Sequence, residues 1–506
     1  MARRNEPRLR LLVDLGRVDW RFRRTGRAKA ARANQALPFS GPPSDRRERE
    51  LSQDEYDVIV VGGGPGGSAA AYFLASSGAR VVVLEKKQFP RAKVCGDGLT
   101  PRSVKSLNEM GLTPETRSYQ RVRGLRVIGA GRSMELDWPN LSNFPGYGLV
   151  RARKDLDADI ARRAQAAGAE IRTRTEAVEP VLDGGKLVGV SWIRSEKAEG
   201  GGVIKADEGV LRAPFTIVAD GASSSFGRAL GIVRDEAYPI GLGIRTYYRT
   251  ERHDDDFIES WLELRKEGKL LPGYGWLFPV GDGTMNVGVG ILASSKKSLG
   301  VNLNRLQRDF VDVLPRSYGI THEGQTEPYK SGRLPIGGSV RKPYGDGFLL
   351  IGDAAGMVNP FNGEGIDYAL ETGKLAAGMI TEALADGEST ELPHYRTALI
   401  DIYGGYYRLG RKFLEMISRP KMFRAMCQVG MRSQTIMAFA LQVLANLAEE
   451  QGGKLNDRAF RAFVKMAERD LPELKEPEIP TPKGVTAVRA AANGSSGPKE
   501  KVVDPS

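Results

Sequence analysis

"YDVIVVGGGPGGSAAAYFLASSGARVVVLEKK", Tyr56 to Lys87, decides the fold. The apolar run Val58 to Val61 reads as a strand covered on both faces, as the strands of a parallel sheet are. Gly62, Gly64 and Gly67 supply a G-x-G-x-x-G turn, Ser68 to Ser77 reads as a helix, and "ARVVVLE" returns as a second strand. The result is a complete βαβ unit. Its glycines allow a tight turn, a close backbone approach to a pyrophosphate and close packing of helix on sheet, with the helix N-terminus facing the phosphates. Glu85 ends the second strand about 20 residues past the turn, where an acid can bond a ribose hydroxyl. The unit predicts a dinucleotide site. FAD and NAD share an ADP half, so the loop alone does not choose between them.

Composition sets the surroundings. Over 506 residues, 41% are hydrophobic, enough for a large core and more than one domain. Two cysteines, Cys95 and Cys427, lie far apart with no second Cys or His at ligand spacing. That argues against a disulfide framework and against a structural zinc site, and for a reducing, cytoplasmic-side location; no metal is expected. The net charge of +12 is concentrated in residues 1–50, which hold fourteen Lys and Arg against six Asp and Glu. With no RRM, zinc-finger or helix-turn-helix signature, nucleic acid is not an expected partner. On a helical wheel Leu11, Leu15, Val18 and Phe22 share one face and Arg10, Arg17, Arg21 and Arg24 another, the pattern of an interfacial helix on anionic lipid. Gly16 and Gly26 weaken that helix and leave a disordered arm as the other reading. Asp14, Arg17 and Asp19 break the apolar run that a secretory signal would need.

Distant segments bear on the choice of dinucleotide. "APFTIVADGASSSFGRALG" puts a strand ahead of Asp220 and Gly221. "DGFLLIGDAAGMVNPFNGEGIDYALETGKLAA" puts another ahead of Gly352 and Asp353, then a glycine-punctuated turn and a long helix. In this order the segments resemble the single-Rossmann flavoproteins that include aromatic hydroxylases and geranylgeranyl reductases. The resemblance implies FAD, with Asp353 at its ribityl and pyrophosphate region. Gly363, Gly365 and Ile366 would offer backbone N–H groups at a helix start to the flavin pyrimidine, where they stabilise negative charge.

Three stretches carry the resemblance to the geranylgeranyl reductase family. They are "FPRAKVCGDGLTPRSVKSLNEMGL" with Cys95, "VRARKDLD" with Arg153 and Asp157, and "LPGYGWLFPVGDGTMNVGVG" with Tyr274, Trp276, Phe278 and Pro279. The similarity spans about Tyr56 to Leu399 and is greatest to the actinobacterial branch that saturates an isoprene double bond in the tail of menaquinone. It implies that Cys95 lies near the flavin's active face, placing the alkene or assisting proton delivery. Read from the residues alone, a lone cysteine is more often a small apolar filler. Alternation along "GYGWLFP" puts Tyr274, Trp276 and Phe278 on one side of a strand, either as core or, by the resemblance, as an aromatic wall for an isoprenoid chain. Arg153 falls among the residues expected near the cofactor.

The expected architecture is an α/β single-Rossmann FAD flavoprotein with an antiparallel substrate sheet and a helical C-terminal region. Residues 1–53 form a basic leader and linker; 54–100, 151–234 and 326–390 the discontinuous FAD domain; 101–150 and 235–325 the substrate domain; 391–472 the helical region; 473–506 a disordered tail. Ile436 to Ala448 is too short to span a bilayer and reads as a packed cap in preference to an interfacial helix. The expected activity is FAD-dependent saturation of isoprenoid double bonds, with Cys95 or Tyr274 supplying the proton and an external donor supplying electrons. The expected setting is peripheral, on the cytoplasmic side of the cell membrane. Reduction of another prenyl lipid and flavin-dependent monooxygenation are the alternatives. A halogenase would be expected to carry W-x-W-x-I-P where this chain has "YGWLFP".

Overall fold

The computed structural model describes residues 55–112, 119–197, 202–298, 300–386, 392–448, 458–462 and 464. The basic leader and linker 1–53 and the tail 473–506 lie outside the described residues.

The strand Val58–Val61, the helix Pro65–Ser76 and the strand Val81–Glu85 form the βαβ unit. Val58–Val61 sits inside a six-stranded sheet, parallel to Phe215–Val218 on one side and to Val81–Glu85 on the other. Glu170–Thr173 closes one edge, and Phe348–Leu350 with its antiparallel partner Tyr344–Gly345 closes the other. Every residue of Val58–Val61 and Val81–Glu85 is buried, which is why the apolar runs do not alternate. The helix Ile366–Asp386, some three hundred residues later in sequence, packs on Pro65–Ser76. The two backbones touch at glycines: a Cβ on Gly373 would stand 2.5 Å from the Gly66 carbonyl oxygen. This crossing brings the first and last glycine turns to the same end of the sheet.

A second, seven-stranded sheet runs in the order Lys330–Pro335, Ile240–Arg249, Thr284–Leu292, Gly273–Pro279, Phe257–Trp261, Gly124–Gly129, Arg132–Asp137. All its pairings are antiparallel except Phe257–Trp261 with Gly124–Gly129. Lys330–Pro335, grouped from sequence with the FAD-domain segments, is instead an edge strand here. Its half-exposed burial pattern is that of an antiparallel edge and not of a doubly covered parallel strand. The C-terminal region is helical as expected: His394–Leu399, a π-turn at Ile400–Gly404, Gly405–Ile417, Pro420–Gly430 and Gln434–Leu444. Gln434–Leu444 closes over the seven-stranded sheet, where Leu441 and Ala445 pack with Val127, Leu136 and Ile258. No helix of the described residues is long and apolar enough to cross a membrane.

Candidate functional site

A continuous cavity of about 880 Å³ runs between the two sheets and under the C-terminal helices. At one end it is bordered by Gly62, Gly64, Glu85, Arg153, Asp220, Gly352 and Asp353, together with Gly363, Gly365 and Ile366. Tyr274, Trp276 and Phe278 line its middle alongside Cys95. Its far wall is apolar, built from Leu125, Ile258, Leu262, Phe413, Ile417, Phe423, Leu441 and Leu444. Sequence reasoning found the first two groups and missed the third. Those residues come from separate elements with no shared spacing, and only packing assembles them.

The nucleotide end has the chemistry of an ADP cradle. Gly64 opens toward free space, where an added Cβ would find only Arg91 Nη2, at 3.9 Å. Gly67, which does not line the cavity, faces back into the turn: its Cβ would lie 1.9 Å from the Gly62 carbonyl oxygen, so this glycine permits the turn itself. Glu85 Oε2 accepts from the Gly63 amide at 3.0 Å and from Arg91 Nη2 at 3.0 Å, which fixes the carboxylate at the rim. Asp220 turns one buried oxygen, Oδ1, toward no partner among the described residues, while its Oδ2 accepts from the Phe226 amide at 2.9 Å. An orphaned buried acceptor beside an open glycine turn fits a hydroxyl- and phosphate-bearing cofactor. Arg153 is committed within the protein, donating to both oxygens of Asp157 at 2.7 and 3.0 Å. Of the three amides expected to face the pyrimidine, that of Gly363 donates to the Asn359 carbonyl at 3.0 Å. The amides of Gly365 and Ile366 remain in the first turn, where a helix supplies no acceptor of its own.

The loop around Cys95 is clamped to the aromatic strand. Trp276 Nε1 donates to Asn286 Oδ1 at 3.0 Å, and Asn286 Nδ2 donates to the Cys95 carbonyl at 2.9 Å and to Asp97 Oδ2 at 2.7 Å. Tyr247 Oη and the Arg153 amide also donate to Asp97, at 2.5 and 3.1 Å. The flanking glycines let the loop lie against Phe278: a Cβ on Gly98 would meet its ring at 2.9 Å, and one on Gly96 at 3.0 Å. The glycines therefore set how close thiol and aromatic wall can be. Burial raises the Cys95 thiol pKa above its ordinary value, and the nearby Arg153 guanidinium does not reverse this. The thiol stays protonated at neutral pH.

Two further acids face this part of the cavity. Tyr274 Oη donates to the Asn362 carbonyl at 2.5 Å, and burial raises its phenol well above the usual range. Glu364, inside the glycine turn, was not singled out from sequence. Its Oε1 accepts from Thr100 Oγ1 at 2.8 Å and from Ser103 Oγ at 3.2 Å, and burial raises its carboxyl pKa. The signal was an acid between the glycines of "NGEG", but its partners lie more than 260 residues away.

Comparison with known proteins agrees with this geometry. Residues 55–398 match the FAD-binding domain family. The chain is 39% identical over 410 residues to a menaquinone reductase of Mycobacterium tuberculosis, covering 81% of this chain and 95% of that one. It is 30% identical to a digeranylgeranylglycerophospholipid reductase of Methanopyrus kandleri, covering 72% and 91%. Among solved structures, a geranylgeranyl bacteriochlorophyll reductase-like protein of Thermoplasma acidophilum superposes with a TM-score of 0.65 at 23% identity, over 81% of this chain and 99% of that one. The class is thus an FAD-dependent oxidoreductase of the single-Rossmann type. Within that class the chain belongs to the geranylgeranyl reductase family, together with the menaquinone reductases.

Proposed function

We propose that this protein saturates isoprenoid carbon–carbon double bonds, and that its substrate is the prenyl tail of menaquinone. The observation that carries this reading is the single cavity joining an ADP cradle, an aromatic strand and an apolar far wall. Such a wall takes an unfunctionalised chain without hydrogen bonds, and each aromatic side chain offers about 150–250 Å² to it. In this reading Gly62 and Gly64 with the helix start would hold the pyrophosphate, Gly67 permitting the turn behind them, and Glu85 the adenosine ribose. Gly352 and Asp353 would border the ribityl chain, with Asp220 and Arg153 at the same end, and Gly365 and Ile366 would meet the pyrimidine. Reduced by an external electron donor, the flavin supplies a hydride equivalent when bound.

The protein must then supply one proton and keep water out, because hydride addition to an isolated alkene without protonation would leave an unstabilised carbanion. Tyr274, Trp276 and Phe278 exclude water and orient the chain. Cys95, Tyr274 and Glu364 are the acids at hand, and burial raises the pKa of each, favouring its protonated form. Glu364 is the strongest acid of the three by nature. Its Oε1 accepts from two hydroxyls and from the Thr100 amide, whereas Oε2 accepts only a long contact from Asn362 Nδ2 at 3.4 Å, so Oε2 is the oxygen that carries the proton. We therefore assign proton delivery to Glu364 and alkene placement to Cys95.

The substrate tail dissolves in lipid, so the protein acts peripherally at the cytoplasmic side of the membrane. The deciding experiment mixes anaerobically reduced holoenzyme with menaquinone in detergent and weighs the product. A gain of two hydrogens with no oxygen supports the reading. A gain of one oxygen after admission of air replaces it with monooxygenation, and saturation only of other prenyl lipids replaces the substrate.

A further inference from the structure

The helix Pro420–Gly430 has more apolar surface than the body covers. Phe423, Cys427 and Gly430 form its buried row, with Phe423 and Cys427 packed against Leu270. Met422, Met426 and Val429 repeat the same spacing about 100° round the helix, yet are 39%, 37% and 59% exposed. Lys421, Arg424 and Gln428 make the third row, also exposed. Met416 at the end of Gly405–Ile417 and Ile436 at the start of Gln434–Leu444 extend the uncovered surface, at 39% and 47%. Five of the eleven large exposed hydrophobic residues among the described ones thus lie between positions 416 and 436. From 416 to 448 the only charged residues are Arg419, Lys421, Arg424 and Arg432, all exposed, with no Asp or Glu. Val178, Leu182, Ile204 and Val210, exposed on the three-stranded sheet of Thr175–Asp183, Lys186–Lys197 and Val203–Arg212, differ: they stand among ion pairs of both signs, such as Arg194–Asp207 and Lys205–Glu208.

We propose that Met416, Met422, Met426, Val429 and Ile436, framed by those four cations, are the face on which the protein rests on an anionic lipid bilayer. An apolar stripe flanked by Lys and Arg is the pattern of a helix lying in the interface, with long cationic side chains reaching lipid phosphates. A second copy is the poorer occupant, because a two-fold contact would bring like charges together. The face also adjoins the cavity: Met416 and Met422 immediately precede Ile417 and Phe423, which line it, and Leu441 and Leu444 line it from the next helix. The proposal rests on the reading of that cavity as a prenyl-tail site, since the face then delivers the tail from bilayer to cavity without passage through water.

The test is flotation of full-length, FAD-loaded protein with vesicles of phosphatidylcholine alone or with added phosphatidylglycerol. Wild type should float with the anionic vesicles and be released by salt. Met422→Asp with Met426→Asp, and separately Lys421→Glu with Arg424→Glu, should each lower bound protein roughly tenfold. Val313→Asp, at a residue 67% exposed elsewhere, should change nothing. The basic leader is common to all variants, and Met426→Trp compared with Val313→Trp reports contact at this face through quenching by brominated lipid. Equal flotation of the double-Asp variant, or no quenching at position 426, overturns the proposal. So does a wild-type dimer in sedimentation velocity that the double-Asp variant abolishes. Turnover of a short-tailed quinone in detergent should be the same in all these proteins. Turnover without flotation rejects the face alone, and flotation without turnover rejects the reductase reading alone.

Discussion

Glu364→Gln tests the proposed proton donor. Glutamine keeps an oxygen for Thr100 Oγ1 and Ser103 Oγ, which bind Glu364 Oε1 at 2.8 and 3.2 Å, and replaces the acidic O–H with an amide that donates no proton to carbon. Folding stability should therefore change by no more than about 1 kcal/mol. A positioned general acid is worth about 10²- to 10⁴-fold, or roughly 3–5 kcal/mol of barrier, and the variant should lose that much in the chemical step. The assay is single-turnover oxidation of pre-reduced enzyme by a prenylated quinone, with flavin content measured in parallel. The sign of the pH dependence follows from burial, which raises the Glu364 pKa. The acid form is the active one, so the wild-type rate should hold at low pH and fall as pH rises through that raised pKa; Gln should abolish this limb. Thr100 and Ser103 favour the charged form, so Ser103→Ala should move the limb to higher pH. Asp367, a turn further on, is fully buried with no hydrogen-bond partner for either oxygen among the described residues. Burial and the neighbouring Glu364 and Glu371 hold its carboxyl far above the ordinary range, so it does not compete as an anion. A Glu364→Gln rate within about threefold of wild type, with the pH limb intact, refutes the assignment.

Gly64→Val should fold with an unchanged melting temperature, since its Cβ meets nothing nearer than 3.9 Å, yet lose FAD on dialysis; Gly67→Val should fail to fold, with its Cβ 1.9 Å from a carbonyl oxygen. Cys95→Ala should slow reduction with flavin retained and Cys95→Ser should restore it if the thiol positions the alkene, while loss in both variants would move proton delivery to the thiol. Cys427, packed with Phe423 and Leu270, should cost about 1–2 kcal/mol in thermal unfolding as Ala with little effect on turnover. Asn286→Ala leaves the Trp276 indole and the buried Asp97 each short of a partner, so unfolding should become easier by about 2–4 kcal/mol, with flavin fluorescence reporting a loosened Cys95 loop.

The glycine-turn end of the cavity was legible because its physics is local. A tight turn, a helix start and a strand-end acid must occupy fixed offsets within about thirty residues, so Gly62, Gly64, Gly67 and Glu85 announce themselves in one stretch. The same holds for the two-residue alternation that puts Tyr274, Trp276 and Phe278 on one side of Gly273–Pro279. Those local offsets determined the parallel sheet, the glycine turn at one end of the cavity and one of its walls. What they could not determine was which distant groups meet. Asn286 clamps Trp276 to the Cys95 loop across 191 residues, and Glu364 finds Thr100 and Ser103 because the helix Pro101–Glu109 packs on Ile366–Asp386. Nor does spacing reveal that Met422 and Met426 are left bare while Phe423 and Cys427 are covered, since both rows have helical periodicity and differ only in what lies opposite. Hydrophobic burial is non-directional and set by neighbours from anywhere in the chain, so the apolar end of the cavity and the acid beside it were decided by tertiary packing.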